Sequence, residues 1–359
     1  MSEKKSPFVK KTVPCPMCSA QAENRFFLPK LFMEKGLESD RHVVEYKWLD
    51  DSFEDCNPPY YHFWFCPSCK YTATQKDFTK PTEDSDSNFN VLKRCYHKMN
   101  PAQKQMVQLL GGDIDFEKMN FSMAMKIHLL AVFIQQLVPE DSRDTSKLAS
   151  YYLRIGWLFR ERKAKGDKDT EMAPTMEFLE KISKLWTTVP RNEEDCLNIA
   201  ASYFEKAYQS HPRYSDIVTA SDLMLLIADL YLRTKDIKKA MQSINTVMQT
   251  GMKFRTKQGE LIRKEKEAGN LTISRKAQID AQTNRVNTMM DRAGQMRQDI
   301  VQMIIAKQEP KAKQVVAKMQ AQGQDTEVIR EKLKEMKFEP QLITKLLGEP
   351  KRKKFLGLF

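Results

Sequence analysis

Cys15-Pro16-Met17-Cys18 and Cys66-Pro67-Ser68-Cys69 decide how this chain begins to fold. Each is a Cys-x-x-Cys with proline after its first cysteine, and 47 residues lie between them. The short spacing lets two thiolates share one reverse turn and point at the same atom. Two such turns supply the four tetrahedral sulfur ligands that structural zinc prefers. The pattern predicts a zinc ribbon in which Cys15, Cys18, Cys66 and Cys69 hold one structural Zn²⁺. Iron in a rubredoxin-like site uses the same ligands, and sequence does not separate the two metals. A redox dithiol is the other use of the spacing, but two matched copies favour a metal. A catalytic zinc keeps one position open for water beside three protein ligands, normally with histidine among them. Four thiolates close the sphere. Ser19 and Lys70 stand where many such knuckles carry glycine, so these loops are expected to be strained or differently wound.

Around the cysteines the chain alternates aromatic and β-branched clusters with turn residues. Val43-Val44-Glu45-Tyr46-Lys47-Trp48 and Tyr60-Tyr61-His62-Phe63-Trp64-Phe65 read as short strands, the second delivering its end to Cys66. Cys56 and His62 lie near the second pair as alternative ligands, although a solvent-near cysteine and a strand histidine are the simpler reading. Asp50, Asp51, Glu54 and Asp55 are read as an exposed acidic loop rather than a second metal site.

A polar, proline-led linker, Pro81-Thr82-Glu83-Asp84-Ser85-Asp86-Ser87-Asn88, precedes a change of character. Ser122 to Val138 reads as an apolar helix closed by Pro139, and Ser146 to about Lys165 as a second. A tetratricopeptide (TPR) pattern then emerges. Tyr152, Ile155, Gly156 and Phe159 match its first helix, while Ala200, Phe204, Ala207 and Pro212 match its second. Between these halves lies an insertion of about 32 residues relative to the usual repeat, which is read as holding a helix from Met172 to Thr188. An uninterrupted copy follows at Met224, Ile227, Ala228 and Tyr231, then Ala240, Ile244 and Val247. Small residues let paired helices approach, and large ones fill the groove between them.

Beyond Gly251, Ile279, Val286, Ala293 and Ile300 recur as one row of a heptad. Gln282, Met289, Met296 and Met303 form a soft second row. The expected long helix pairs with a copy of itself, folds back on the repeats, or grips a partner. Two short helices are expected at Thr326 to Met336, after the cap Asp325, and at Pro340 to Leu347. The chain ends on Lys351-Arg352-Lys353-Lys354 and Phe355-Leu356-Gly357-Leu358-Phe359.

The net charge of +12 is unevenly placed. Residues Gly251 to Phe359 carry 24 Lys/Arg against 13 Asp/Glu, so the basic character lies in the C-terminal third. Such an extension suits an acidic partner: nucleic acid, an anionic membrane surface or an acidic protein face. The longest apolar run, Leu129 to Ile134, is far short of a bilayer span. No signal peptide is visible, and seven cysteines, four in metal-type pairs, suit a reducing cytoplasm. Only 12 glycines and 16 prolines in 359 residues favour long helices. No Ser-His-Asp set, glycine-rich phosphate loop or His-Glu-x-x-His is found in the sequence, so no enzyme is expected.

The run from Asn57 through Tyr71, with Cys66-Pro67-Ser68-Cys69-Lys70-Tyr71 at its end, resembles a bacterial family named domain of unknown function 2225. That family is similar in its Cys-Pro-x-Cys pairs and tyrosine-rich strand, with glycine where Lys70 stands here. Its helical Leu-Arg-Leu-Ala-Trp-Leu-Tyr-Arg motif resembles Leu153-Arg154-Ile155-Gly156-Trp157-Leu158-Phe159-Arg160. The resemblance covers about residues 12 to 250. It implies a fold and a metal but no activity.

The expected fold class is mainly α with a small β zinc ribbon. Residues 1–80 are read as the ribbon, 81–250 as TPR-like helices, 251–310 as a long helix or coiled coil, and 311–359 as short helices and a basic tail. The expected function is a bacterial cytoplasmic adaptor or scaffold with a protein partner in the helical groove. Homo-oligomerisation is expected through the C-terminal helix, and contact with nucleic acid or an anionic membrane through the basic tail. The alternative is a nucleic-acid-binding protein that uses the basic C-terminal third.

Overall fold

The computed structural model describes residues 6–28, 30–79, 88–166 and 170–349. The linker at 80–87 and the basic tail from 350 onward lie outside them. The chain divides into two compact units, Met1–Ser243 and Ile244–Phe359.

The first unit begins with three separate antiparallel hairpins: β1 (Phe8–Pro14) with β2 (Gln21–Phe27), β3 (Phe32–Leu37) with β4 (Val43–Trp48), and β5 (Phe63–Phe65) with β6 (Thr72–Thr74). Their registers run Phe8↔Phe27 to Pro14↔Gln21, Phe32↔Trp48 to Leu37↔Val43, and Phe63↔Thr74 to Phe65↔Thr72. A two-stranded hairpin is marginal alone in water, so each must be held by something else. Aromatic rings do part of this. Phe27 meets Phe8, Phe32, Trp48 and Tyr61 at centroid distances of 4.6 to 5.7 Å, joining the first two hairpins.

The strand expected over Tyr60–Phe65 is confined to Phe63–Phe65. Its first half belongs to a 3₁₀ turn, Pro58–Tyr61. Pro58 and Pro59 explain the difference, because they fix φ and offer no N–H to a ladder.

Among the described residues, nine α-helices follow: α1 (Gln75–Thr79), α2 (Asn88–His97), α3 (Pro101–Gly111), α4 (Phe121–Gln136), α5 (Thr145–Ala164), α6 (Met172–Ser183), α7 (Glu193–Ser210), α8 (Ile217–Arg233) and α9 (Ile237–Glu267). Side-chain caps start α3, α4, α5, α7 and α8 from Asn100, Asn120, Asp144, Asn192 and Asp216. Apolar on nearly all sides, α4 occupies the centre, where α3, α5, α6, β5 and β6 pack on it.

The repeat residues behave as their pattern requires. Tyr152, Ile155 and Phe159 of α5 are buried, as are Ala200, Phe204 and Ala207 of α7, and Met224, Ile227, Ala228 and Tyr231 of α8. A β-carbon built on Gly156 would lie 3.2 Å from Leu197 Cδ2 and 3.3 Å from Cys196 Cβ. The missing side chain is thus what lets α5 and α7 approach closely. The inserted segment between the repeat halves folds as α6, which packs on α4.

The second unit holds the end of α9, then α10 (Ile273–Ala321), α11 (Thr326–Glu335) and α12 (Pro340–Leu347). The chain reverses between α9 and α10, with Gly269 at φ +68° and Arg275 paired to Glu265 at 3.3 Å. Gly251 of α9 sits against Met290 and Val286 of α10. Along α10, Ile279, Val286, Ala293 and Ile300 are buried, whereas Gln282 and Met303 are exposed. The first heptad row is therefore buried within the chain, while the second is half-buried at Met289 and Met296 and exposed at its two ends. Ile305, Ala312 and Val316 form a small separate core with Ile329, Leu333, Phe338, Leu342 and Ile343 of the last two helices and their connection. Among the described residues no helix is long and apolar enough to cross a membrane.

Candidate metal centre

Each cysteine pair occupies the turn of a hairpin, Cys15 and Cys18 between β1 and β2, Cys66 and Cys69 between β5 and β6. The two turns share one hydrogen-bond scheme. Ser19 N–H donates to Cys15 O (2.8 Å), and Lys70 N–H to Cys66 O (2.7 Å). Cys15 N–H donates to Ala20 O and Cys66 N–H to Tyr71 O, both at 2.9 Å. Ser19 and Lys70 adopt φ of 62° and 67°. The loops are therefore wound as a glycine knuckle would be, and the non-glycine residues accept the left-handed conformation at a steric cost. For Lys70, contacts offset part of it. Its ammonium donates to Pro67 O at 2.8 Å and lies 5.6 Å from the Phe65 ring centroid.

The turns bring the four sulfurs within 4.8 Å of one another. Cys15 and Cys69 are 3.6 Å apart, Cys18 and Cys66 3.7 Å. A disulfide would need about 2.05 Å. Four sulfurs at metal bonds of about 2.3 Å stand about 3.8 Å apart along each tetrahedral edge, so the donor set fits one tetrahedral metal ion. The charges point the same way. A hydrogen bond from Cys69 pulls the Cys15 thiol down to about 5, while the same contact pushes Cys69 far up and burial raises Cys66. A divalent cation bound here would stabilise the cysteines as thiolates.

Around the sulfurs, the Tyr96 hydroxyl on α2 donates to Cys69 O. Asn24 of β2 accepts from Phe65 N–H at 2.7 Å, tying the first knuckle's hairpin to the second's. Phe63 turns its ring edge-on to His128 and Tyr151 at 4.8 and 4.7 Å, fixing β5 on α4 and α5.

Among the described residues, only these cysteines bring three or more His, Cys, Asp or Glu ligand atoms so close together. Cys56 and His62 do not join them. Cys56 lines a separate cleft, and His62 is packed on Phe63. The acidic run does not converge. Asp50 caps the turn Asp51–Phe53, accepting from Ser52 N–H. Cys95 and Cys196 are free thiols on α2 and α7.

A second constellation escaped the sequence reading. The turn of the β3–β4 hairpin, Glu38 to His42, is locked to the helices by charge. Arg160 of α5 pairs with Glu38, with Asp40 at 2.7 Å and with Glu193 at 2.7 Å. Trp157 Nε1–H donates to Asp40 at 3.2 Å, and Ser39 Oγ–H to Asp229 of α8 at 2.7 Å. His42 sits between Glu38 (2.8 Å) and Glu161 (3.1 Å). Burial alone would raise Asp40, but Arg160 and Arg233 hold it below the usual carboxylate range. Burial alone would lower His42, but Glu161 and Glu38 raise it. The available signal was Asp40-Arg41-His42 in a hairpin turn together with Arg160 on a largely apolar helix.

Fold and site together define a mainly helical protein carrying a four-cysteine ribbon, with a possible metal site, on TPR-like helices. The chain belongs to the family described as an uncharacterized protein conserved in bacteria (DUF2225), whose sequence model matches residues 8–271. Comparison with curated proteins and with solved structures gave no match.

Proposed function

We propose that this is a bacterial cytoplasmic adaptor: one structural Zn²⁺ on Cys15, Cys18, Cys66 and Cys69 braces the ribbon, and the helical array holds a partner protein. The observation that carries the reading is a cleft of about 930 Å³ walled by α5, α6 and α7. Its floor is apolar, with Phe159, Met172, Met176 and Leu197, and methionines adapt to varied surfaces. Arg162, Lys163, Arg191, Arg233 and Lys235 line it with Glu193 and Glu194. Arg162, Arg191 and Arg233 pair with Glu171, Glu180 and Asp229, so Lys163 and Lys235 carry most of the rim's surplus charge. This suits an acidic amphipathic segment of the partner, its apolar side on the methionines and its carboxylates toward the basic rim. The reading is non-catalytic, because four thiolates leave the metal no position for water.

The test places a photo-crosslinking amino acid at Met176 in living bacteria, with exposed Leu49 as control. One partner is expected from position 176, joined through an acidic amphipathic segment whose synthetic peptide binds the purified protein and is lost in Met176→Asp. Equal capture from both positions, or a peptide indifferent to Met176→Asp, overturns the reading.

The charge excess of residues Gly251 to Phe359, 24 basic against 13 acidic, favours a second reading in which this third binds nucleic acid. The signature is affinity for a random oligonucleotide that falls steeply with salt. Binding indifferent to Lys253→Gln combined with Arg255→Gln, or to salt, excludes it.

A further inference from the structure

Arg154 lies on α5, within the first unit, and forms no ion pair with a carboxylate among the described residues. Its guanidinium carbon stands 5.4 Å from the Trp157 ring centroid; burial works against its charge, and the phenols of Tyr46 and Tyr151 favour it. Two histidines close by add no negative charge. Burial, with Arg154's own charge, holds His62 neutral down to about 2, and burial does the same for His128 to about 3. The neighbouring Arg160 shows what this helix does elsewhere, with three carboxylates gathered on one guanidinium. A guanidinium stays charged at any ordinary pH and carries five donors in a planar fork. Desolvating one without an acceptor is costly, so an unmatched arginine points to a ligand that completes it.

A cavity lies in front of it. Arg154 lines a space of about 370 Å³ bounded by the β3–β4 hairpin, α5, α7 and α8, a volume in the range of small-molecule sites. Its polar wall is hydroxyl-rich. Tyr46 and Ser150 face it, and Ser146 and Tyr214 stand 2.9 Å apart with one hydroxyl hydrogen-bonded to the other. Arg41, also in the wall, is already matched by Asp222, while Arg213 adds another cation at the edge and Glu34 one carboxylate. Leu153, Trp157, Phe204, Leu223 and Leu226 add apolar surface to the same lining.

We propose that this cavity binds a small organic oxyanion, a carboxylate or phosphate carried on an apolar body, with Arg154 as its anion-binding residue. The fork of Arg154 takes two oxygens of the anion, the hydroxyls take the rest, and the apolar body lies on Trp157 and Phe204. The cavity is distinct from the α5–α6–α7 cleft assigned to the partner, so the two readings stand or fall separately.

The full-length protein, labelled with ¹⁵N-arginine, is titrated with hexanoate and hexyl phosphate, and with acetate and chloride at matched ionic strength. The expected result is a saturable shift of the Arg154 Nε resonance with one of the six-carbon anions, at least about tenfold tighter than with acetate because burial of the chain adds to the ion pair. Which of the two binds tighter identifies the headgroup as carboxylate or phosphate. Arg154→Gln is expected to weaken binding by about tenfold or more, and Arg154→Lys by less, since it keeps the charge and loses the fork. The direct resonance in the unaltered protein makes the test independent of how the variants fold. If no six-carbon anion shifts Arg154 beyond chloride, or Arg154→Gln binds as well as the parent, the proposal is wrong.

Discussion

Arg160 Nη2 lies 2.7 Å from Asp40 Oδ2, and the Asp40 side chain has no solvent exposure at all. The contact joins α5 to a hairpin turn 120 residues earlier in the chain. Ser39–Asp229, Arg41–Asp222 and His42–Glu161 also tie this turn to the helices, but Arg160 is the cation nearest the buried Asp40. Arg160→Met leaves that carboxylate with Arg233 at 3.7 Å and the Trp157 N–H, and is expected to cost about 3 kcal/mol. Asp40→Asn leaves Arg160 with Glu38 and Glu193 and should cost less, about 1–2 kcal/mol. Urea midpoints at constant slope measure both. Limited trypsin digestion reads the local effect, since a released turn exposes the bond after Arg41. Equal midpoints for Arg160→Met and the parent would falsify the clamp.

The same turn makes stability depend on pH. Asp40 and Glu38 are held below the usual carboxylate range, for although burial raises both, Arg160 outweighs it, with His42 also lowering Glu38. Their contribution is complete above about pH 4 and is lost as pH falls through the folded values. His42 is raised, so its contribution is complete below about pH 6.5 and is lost as pH rises through its folded value. The clamp is strongest between these limits. Urea midpoints from pH 5 to 9 should decline on the alkaline side in the parent and lose that decline in His42→Gln. A slope unchanged by the substitution would place its origin elsewhere.

The four sulfurs imply a definite outcome for metal analysis. One Zn²⁺ per chain is expected, with no visible thiolate–iron absorption. A chelator strong enough to remove it should loosen the β1–β2 hairpin, because the metal joins that hairpin's turn to the β5–β6 turn. Cys66→Ser should lose metal and much of the ribbon together. Retention of near-ultraviolet circular dichroism after complete metal loss would show that the ribbon does not depend on the ion.

Much of this architecture was legible because periodicity and spacing are local. The knuckles were readable from Cys-Pro-x-Cys alone, and the last two helices from Asp325 and Pro340. The small and aromatic positions of α5, α7 and α8 foretold which residues would be buried. The Tyr60–Phe65 stretch was misjudged in its first half because aromatic content outweighed two prolines in the reading. The clamp was not legible for a different reason. Glu38, Asp40 and His42 look like any polar turn, and their helix partners Arg160, Glu161 and Arg233 lie more than a hundred residues away. Charge pairing at that range follows from tertiary packing, which a single sequence does not display. Arg154 was hidden likewise, since only the structure reveals an arginine on a packed helix with no ion pair to a carboxylate among the described residues.

Gly156 offers a test of the helix pairing itself. A β-carbon there would stand 3.3 Å from Cys196 Cβ, an atom fixed to the α7 backbone, and 3.2 Å from the more pliable Leu197 Cδ2. Gly156→Ala gains about 1 kcal/mol of helix propensity and loses a comparable amount as α7 shifts by a few tenths of an ångström, so little net change is expected. Gly156→Leu has no such balance. Its side chain must displace Leu197 or part the helices, at a cost of about 3 kcal/mol. The contrast between the two variants is the informative quantity, read as the difference in their urea midpoints. If leucine is tolerated as well as alanine, α5 and α7 do not owe their close approach to the glycine, and the TPR-like pairing loses its physical basis at this position.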